Sequence, residues 1–181
     1  YVRLRTDVAE RDVVFVCAVD RPDAKLLPLV FAGATAKELG AKRVGLIAPY
    51  LAYMRQDKRF HPGEALTSRI FARLLSSTFD WLVTVDPHLH RFADMSELYS
   101  SPVEVCHAAQ EVARWIKSTI ARPIIIGPDS ESQQWVSAVA ATVDAPYVTL
   151  SKSRLGDRQV QITFPNLDAW QGRPPVLVDD I

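Results

Sequence analysis

Short apolar runs alternate with stretches of helical periodicity along the whole chain. Asp12 to Val19 is continuous and rich in β-branched residues, as a strand buried on both faces should be. A helix is predicted from Pro22 to Leu39. Asp20 can cap it, Pro22 suits its first turn and Gly40 ends it, while Leu26, Leu27, Val30, Phe31 and Ala34 share one face. Arg43 to Ala48 reads as the next strand. A loop through Pro62-Gly63 leads to a helix from Thr67, with Ile70, Phe71, Leu74 and Leu75 at helical spacing, and Trp81 to Val85 is again a strand. After a loop rich in His and Asp the alternation restarts at Pro102. It runs through strand Val103 to Cys106, a helix around Ala109 to Ser118, strand Pro123 to Ile126 and a helix from about Glu131 to Val143. Strands Tyr147 to Leu150, Arg158 to Ile162 and Pro175 to Val178 complete it.

Strands alternating with helices imply mostly parallel sheets joined by right-handed crossovers, the doubly wound α/β class. The restart divides the chain into two α/β units, residues 1–101 and 102–181, the second cut short. The chain begins without Met and stops at Val178-Asp179-Asp180-Ile181, straight after a strand pattern, so both ends of the native protein are expected to be missing.

Charge narrows the functions. Twenty-one basic and 21 acidic residues cancel, which argues against a protein that coats nucleic acid. The longest apolar runs are too short to span a bilayer, and Tyr1 to Arg5 does not open a signal peptide, so no membrane role is expected. Cys17 and Cys106 sit among apolar neighbours with no Cys-x-x-Cys spacing, and read as small buried residues of a cytoplasmic protein.

Against that neutral background the polar residues gather where strands end, the ligand-binding edge of open α/β sheets. Arg55-Gln56-Asp57-Lys58-Arg59 follows the second strand, and Asp86-Pro87-His88-Leu89-His90-Arg91 the third. Gly127-Pro128-Asp129-Ser130, Ser151-Lys152-Ser153-Arg154 and Asp179-Asp180 follow later ones. Each has a plainer reading alone. Asp86-Pro87 opens turns, Asp129-Ser130 caps helices, and Lys152 and Arg154 suit any solvated loop. Adjacent carboxylates such as Asp179-Asp180 repel unless a cation or hydroxyl groups occupy them. Together they fit phosphoryl transfer, in which cations hold nucleotide phosphates, oxygen and imidazole ligands organise Mg²⁺, and a Lys and Arg meet the charge of the transition state.

The same blocks, from Ile47-Ala48-Pro49-Tyr50 through Arg55-Gln56-Asp57-Lys58-Arg59, Asp86-Pro87-His88, Pro128-Asp129-Ser130 and Lys152-Ser153-Arg154 to Val176-Leu177-Val178-Asp179-Asp180-Ile181, occur in the order found in ribose-phosphate pyrophosphokinases. The chain resembles that family over nearly its whole length, as a divergent member with a shortened loop after the Asp-x-His motif. The resemblance implies two tandem phosphoribosyltransferase-type (Rossmann-like) domains, the first with the ATP-binding segment, the second with the catalytic loop and the start of the ribose-phosphate loop. It implies transfer of the diphosphoryl group of Mg-ATP to the C1 hydroxyl of ribose 5-phosphate, giving phosphoribosyl pyrophosphate and AMP. Arg55, Gln56, Asp57 and Lys58 would bind ATP. Asp86, His88 and Asp129 would ligate Mg²⁺, and Asp129, Asp179 and Asp180 would bind ribose 5-phosphate. Lys152 and Arg154 would be catalytic. A homo-oligomer, a dimer or a multiple of dimers, is implied as well. A catalytically silent homologue would have lost the Lys-Arg or Asp-x-His pair, and both are kept. A phosphoribosyltransferase of nucleotide salvage would not need Arg55-Gln56 or two α/β units.

Overall fold

Four strands of the first half lie parallel in their sequence order. The computed structural model describes residues 1–154, 160–163, 165 and 167–179, and the chain divides into two units, Tyr1–Cys106 and His107–Ile181. The first contains β1 (Asp12–Val16), α1 (Pro22–Glu38), β2 (Arg43–Ala48), α2 (Thr67–Thr78), β3 (Trp81–Val85) and β4 (Val103–Cys106), with sheet order β1-β2-β3-β4. Sequential order with right-handed crossovers sends α1 and α2 to the same face. Val13, Phe15, Val44, Leu46 and Leu82 lie in register and pack with Leu29, Ala36, Phe71 and Leu75 in one core. On the other face Val14 and Val16 are 45% and 72% exposed.

Four expectations for this unit change. β4 pairs with β3, Leu82 beside Val103 and Val85 beside Cys106, so the strand expected to open the second unit closes the first sheet. Pro102 itself takes part, its carbonyl accepting from Leu82 N at 3.0 Å, and the boundary falls after Cys106 instead of before Pro102. β1 stops at Val16, and Val19 makes only an isolated parallel bridge with Leu51. α1 buries Leu29, Gly33 and Ala36 and leaves Leu27 and Phe31 more than half exposed. Its sequence is apolar nearly all round, so periodicity selects no face. Close approach selects it instead, because a Cβ on Gly33 would stand 2.7 Å from Thr78 Cγ2 and 3.0 Å from the Phe79 ring. Asp20 does not cap α1; its carboxylate pairs with Lys25.

The second unit contains α3 (Ala109–Thr119), β5 (Ile124–Gly127), α4 (Gln133–Val143), β6 (Tyr147–Thr149), β7 (Ser151–Arg154), β8 (Val160–Thr163) and β9 (Pro175–Leu177). Its parallel sheet has order β6-β5-β9, over a core of Ala113, Ile116, Ile125, Val136, Val139 and Ala140. Lys152-Ser153-Arg154, expected in a loop, lies in β7, which pairs antiparallel with β8. The start of the strand expected from Arg158 lies outside the described residues, as do Asp180 and Ile181.

Candidate functional site

In the first unit the loop leaving β2 is anchored before it becomes polar. Val19 N donates to the Tyr50 carbonyl at 3.0 Å, and Leu51, Ala52 and Met54 are buried. Tyr53 then turns the backbone through a left-handed φ of 63°. Beyond it Arg55, Gln56, Lys58 and Arg59 are exposed, and Asp57 alone is buried. Gln56 has structural duties too. Its carbonyl accepts from Ser68 N at 3.3 Å and Ser68 Oγ at 2.9 Å, and its Oε1 from Thr67 Oγ1 at 3.1 Å. It thus serves the first turn of α2, where Leu66 at the N-cap offers no side-chain acceptor. Lys58 Nζ lies 4.7 Å from the Phe60 ring centroid.

Glu64 closes the loop. Its Oε2 accepts from Phe60 N at 2.7 Å and His61 N at 3.0 Å, while Arg59 Nε donates to its carbonyl at 2.9 Å. The His61 and Phe60 N–H groups hold the Glu64 carboxyl below its usual range.

The loop leaving β3 opens on Asp86, another left-handed residue at φ 37°, whose N–H donates to the Cys106 carbonyl at 3.0 Å. Such backbone strain in a non-glycine residue persists only where the surroundings fix it, and it gathers at functional sites. His88 and His90 follow with ring centroids 6.2 Å apart. Arg91 then reaches back to the β2 loop. Its Nη1 donates to Asp57 Oδ1 at 2.7 Å and to Oδ2 at 2.8 Å, and the Asp57 side chain is 0% exposed against 37% for Arg91. Asp57, expected among the nucleotide ligands, is therefore a sealed brace between two loops, because its carboxylate is spent on Arg91 away from solvent. Farther on, Arg69 of α2 stacks 5.3 Å from the Phe92 ring, and Ala93 N donates to Glu97 Oε1 at 2.8 Å. A depression of about 540 Å³ lined by Asp12, Val14, Arg43, Asp80, Trp81 and Pro102 sits at the amino end of this sheet. Ligands of open α/β sheets bind at the carboxyl end, so it is not the candidate site.

In the second unit the strand order itself marks a place. From β5 the chain crosses to β6 on one side, and β9 returns on the other, which makes β5 the point where strand order reverses. Val178 N donates to the Ile126 carbonyl at 2.9 Å and Leu150 N to the Gly127 carbonyl at 2.9 Å, extending both pairings to the sheet's edge. The loop from Gly127 to Ser130, the β7 segment bearing Lys152 and Arg154, and Asp179 all leave that edge. Gly127 lets α4 start close to β5, since a Cβ there would lie 2.3 Å from Ser132 Oγ and 2.9 Å from Val136 Cγ2. Asp129 Oδ1 accepts from Glu131 N at 3.0 Å and Ser132 N at 3.2 Å, so it shapes the turn ahead of α4 and does not cap the helix, whose N-cap Ser132 makes no side-chain capping bond. Asp179 is exposed.

Among the described residues no three His, Cys, Asp or Glu side chains gather into a metal-binding group. A carboxylate and an imidazole, Asp86 and His88, make a sparse donor set. It suits a hard cation delivered on a polyphosphate, for which one or two protein ligands are enough, better than a resident ion.

The two parallel sheets, with polar loops at the carboxyl ends of their strands, define an α/β protein built on parallel sheets and crossover helices. Residues 1–78 match the family model of the N-terminal domain of ribose phosphate pyrophosphokinase. The chain is 33% identical to a ribose-phosphate pyrophosphokinase of Saccharolobus solfataricus, over 100% of this chain and 62% of that protein. It is 36% identical to one of Methanopyrus kandleri, over 93% of this chain and 58% of the relative. The chain thus spans about three-fifths of the length of these curated relatives. In fold it is similar to the crystal structure of phosphoribosylpyrophosphate synthetase from Mycobacterium smegmatis, with TM-score 0.80 at 22% identity, covering 99% of this chain and 58% of that one. The chain is thus similar to ribose-phosphate pyrophosphokinases over nearly the whole of its own length.

Two residues, Arg91 and Glu64, are given no role by the sequence. Arg91 is the one cation between Asp86 and Phe92, and Asp57 the one acid between Arg55 and Arg59. Opposite charges at adjacent strand exits were the available signal. Glu64 left none, because it works through backbone N–H groups that no side-chain pattern announces.

Proposed function

We propose that the whole protein transfers the β,γ-diphosphoryl group of Mg-ATP to the C1 hydroxyl of ribose 5-phosphate, releasing AMP. The C1 oxygen attacks the β-phosphorus, the bond from that phosphorus to the α,β-bridging oxygen breaks, and the hydroxyl proton is lost. The carrying observation is that Asp57 and Arg91 tie the loop of Arg55 and Gln56 to the loop of Asp86 and His88 at one sheet edge. That juxtaposition suits a nucleotide polyphosphate, with guanidinium and amide on one side and oxygen and imidazole ligands on the other. The activity for which the relatives from Saccharolobus solfataricus and Methanopyrus kandleri are named supports the same reading.

In this reading Arg55, Gln56 and Lys58 of the first unit bind ATP, and Asp86 and His88 would hold the Mg²⁺ that arrives with it. Asp129, Asp179 and Asp180 receive the ribose phosphate, and Lys152 and Arg154 stabilise charge on the transferring group. The first unit serves ATP and the second ribose 5-phosphate, in a cytoplasmic homo-oligomer. No helix among the described residues is long and apolar enough to cross a membrane.

The test is an assay of the full-length protein with ATP, Mg²⁺ and ribose 5-phosphate. Equal amounts of AMP and phosphoribosyl pyrophosphate are expected. No turnover across a range of phosphate and metal concentrations would overturn the proposal.

A further inference from the structure

We propose that the Asp57–Arg91 ion pair locks the β2 and β3 exit loops into one preset nucleotide-binding surface, with Arg91 as its positioning residue. The inference rests on the ATP role proposed for this edge and deepens it. One guanidinium nitrogen reaches both oxygens of a carboxylate with no solvent exposure, at 2.7 and 2.8 Å. Asp57 follows Gln56 directly, and Arg91 lies three residues beyond His88. Each loop has its own anchor besides. Gln56 is bonded to the start of α2, and Arg69 of the same helix stacks on Phe92. The pair therefore closes a ring, from α2 to the β2 loop, across the ion pair to the β3 loop, and back through Arg69 to α2. A ring of this kind fixes the spacing of Arg55 and Gln56 from Asp86 and His88 before ligand arrives, which lowers the ordering cost of binding.

Hydrogen–deuterium exchange on the ligand-free full-length protein tests the lock, comparing wild type with Arg91→Met, Arg91→Lys and Asp57→Asn. Amides of residues 55–59 and 86–91 should both exchange roughly tenfold faster in Arg91→Met, with Arg91→Lys intermediate and the interiors of β2 and β3 unchanged. Faster exchange confined to the loop that carries the substitution would overturn the lock. If Arg91→Met does not fold, Asp57→Asn decides by the same two-loop criterion, since the guanidinium it releases is already part exposed. In turnover assays the KM for ATP should rise about tenfold in Arg91→Met, with kcat within about threefold and partial recovery in Arg91→Lys. An unchanged KM for ATP in a variant whose loops exchange faster would overturn the positioning role. A wild type that makes no phosphoribosyl pyrophosphate removes the proposed function instead, and the exchange comparison still decides whether the loops are locked.

Discussion

Removing one or the other half of the Asp57–Arg91 pair should not cost the same. Arg91→Met strands a carboxylate that has no exposure, whereas Asp57→Asn leaves a guanidinium already 37% exposed and able to reach water. Breaking a buried pair by deleting one partner costs about 3–5 kcal/mol. Arg91→Met is expected to lie at the low end of that range and Asp57→Asn at about half of it or less. Urea denaturation of the two variants would show the asymmetry, and equal losses would mean that the pair is wetter than its geometry. Thr84 carries the opposite lesson. Its Oγ1 is buried with no hydrogen-bond partner among the described residues, so the folded state bears the cost of an unmade bond. Thr84→Val should be neutral or stabilising by up to about 1 kcal/mol, and a clear loss of stability would reveal a partner. At this scale the sequence displayed charge types but not their allegiance. Arg55 and Asp57 look alike as members of a polar run, and only burial separates a residue offered to solvent from one consumed within the fold.

At the scale of elements, Asp80 joins three of them. It precedes β3, receives Lys37 of α1 at 2.6 Å, and accepts from Val44 N at the start of β2 at 2.7 Å. Partial burial pushes its carboxyl up, but Lys37 and the Val44 N–H outweigh that and hold it below the ordinary value of 3.8. A depressed folded value means the stabilisation is complete above the unfolded value and drains as pH falls through the folded one. Asp80→Asn should therefore cost about 1 kcal/mol at neutral pH, and thermal melts of wild type and variant should converge as pH falls below 3.8. Gly127→Ala would crowd Ser132 and Val136 and displace the start of α4, for a loss of about 1–3 kcal/mol by urea titration. Strands and helices were largely legible, because period and caps are local signals. α2, β2, β3 and β4 stand where the pattern put them. The buried face of α1 was not legible, since an all-round apolar helix leaves the choice to Gly33 and its neighbours. Nor was the β7–β8 ribbon, whose polar first strand carries no alternation to distinguish it from a loop.

For the molecule as a whole, the proposed chemistry separates rate from binding. Lys152→Ala should lower kcat by about 100-fold or more with little change in KM for ATP, because contacts made only in the transition state act on rate. An unchanged kcat would remove Lys152 from catalysis. His88→Ala should shift the Mg²⁺ dependence of turnover to higher concentration, and an unaltered titration would count against ligation. The resemblance to ribose-phosphate pyrophosphokinases was legible from motif order alone, whereas the unit boundary was not, since Pro102 breaks the chain without breaking the sheet. The sealed ion pair carries one more consequence, for ionic strength. Exposed pairs such as Asp12–Arg43 weaken once the screening length falls to a few ångströms, but a carboxylate with no water contact is screened far less. Raising salt should loosen the proposed grip of Arg55 and Lys58 on polyphosphate while leaving the loops that carry them in place. At the proposed ATP site a salt titration of affinity would therefore read ligand attraction cleanly, without the scaffold melting underneath it.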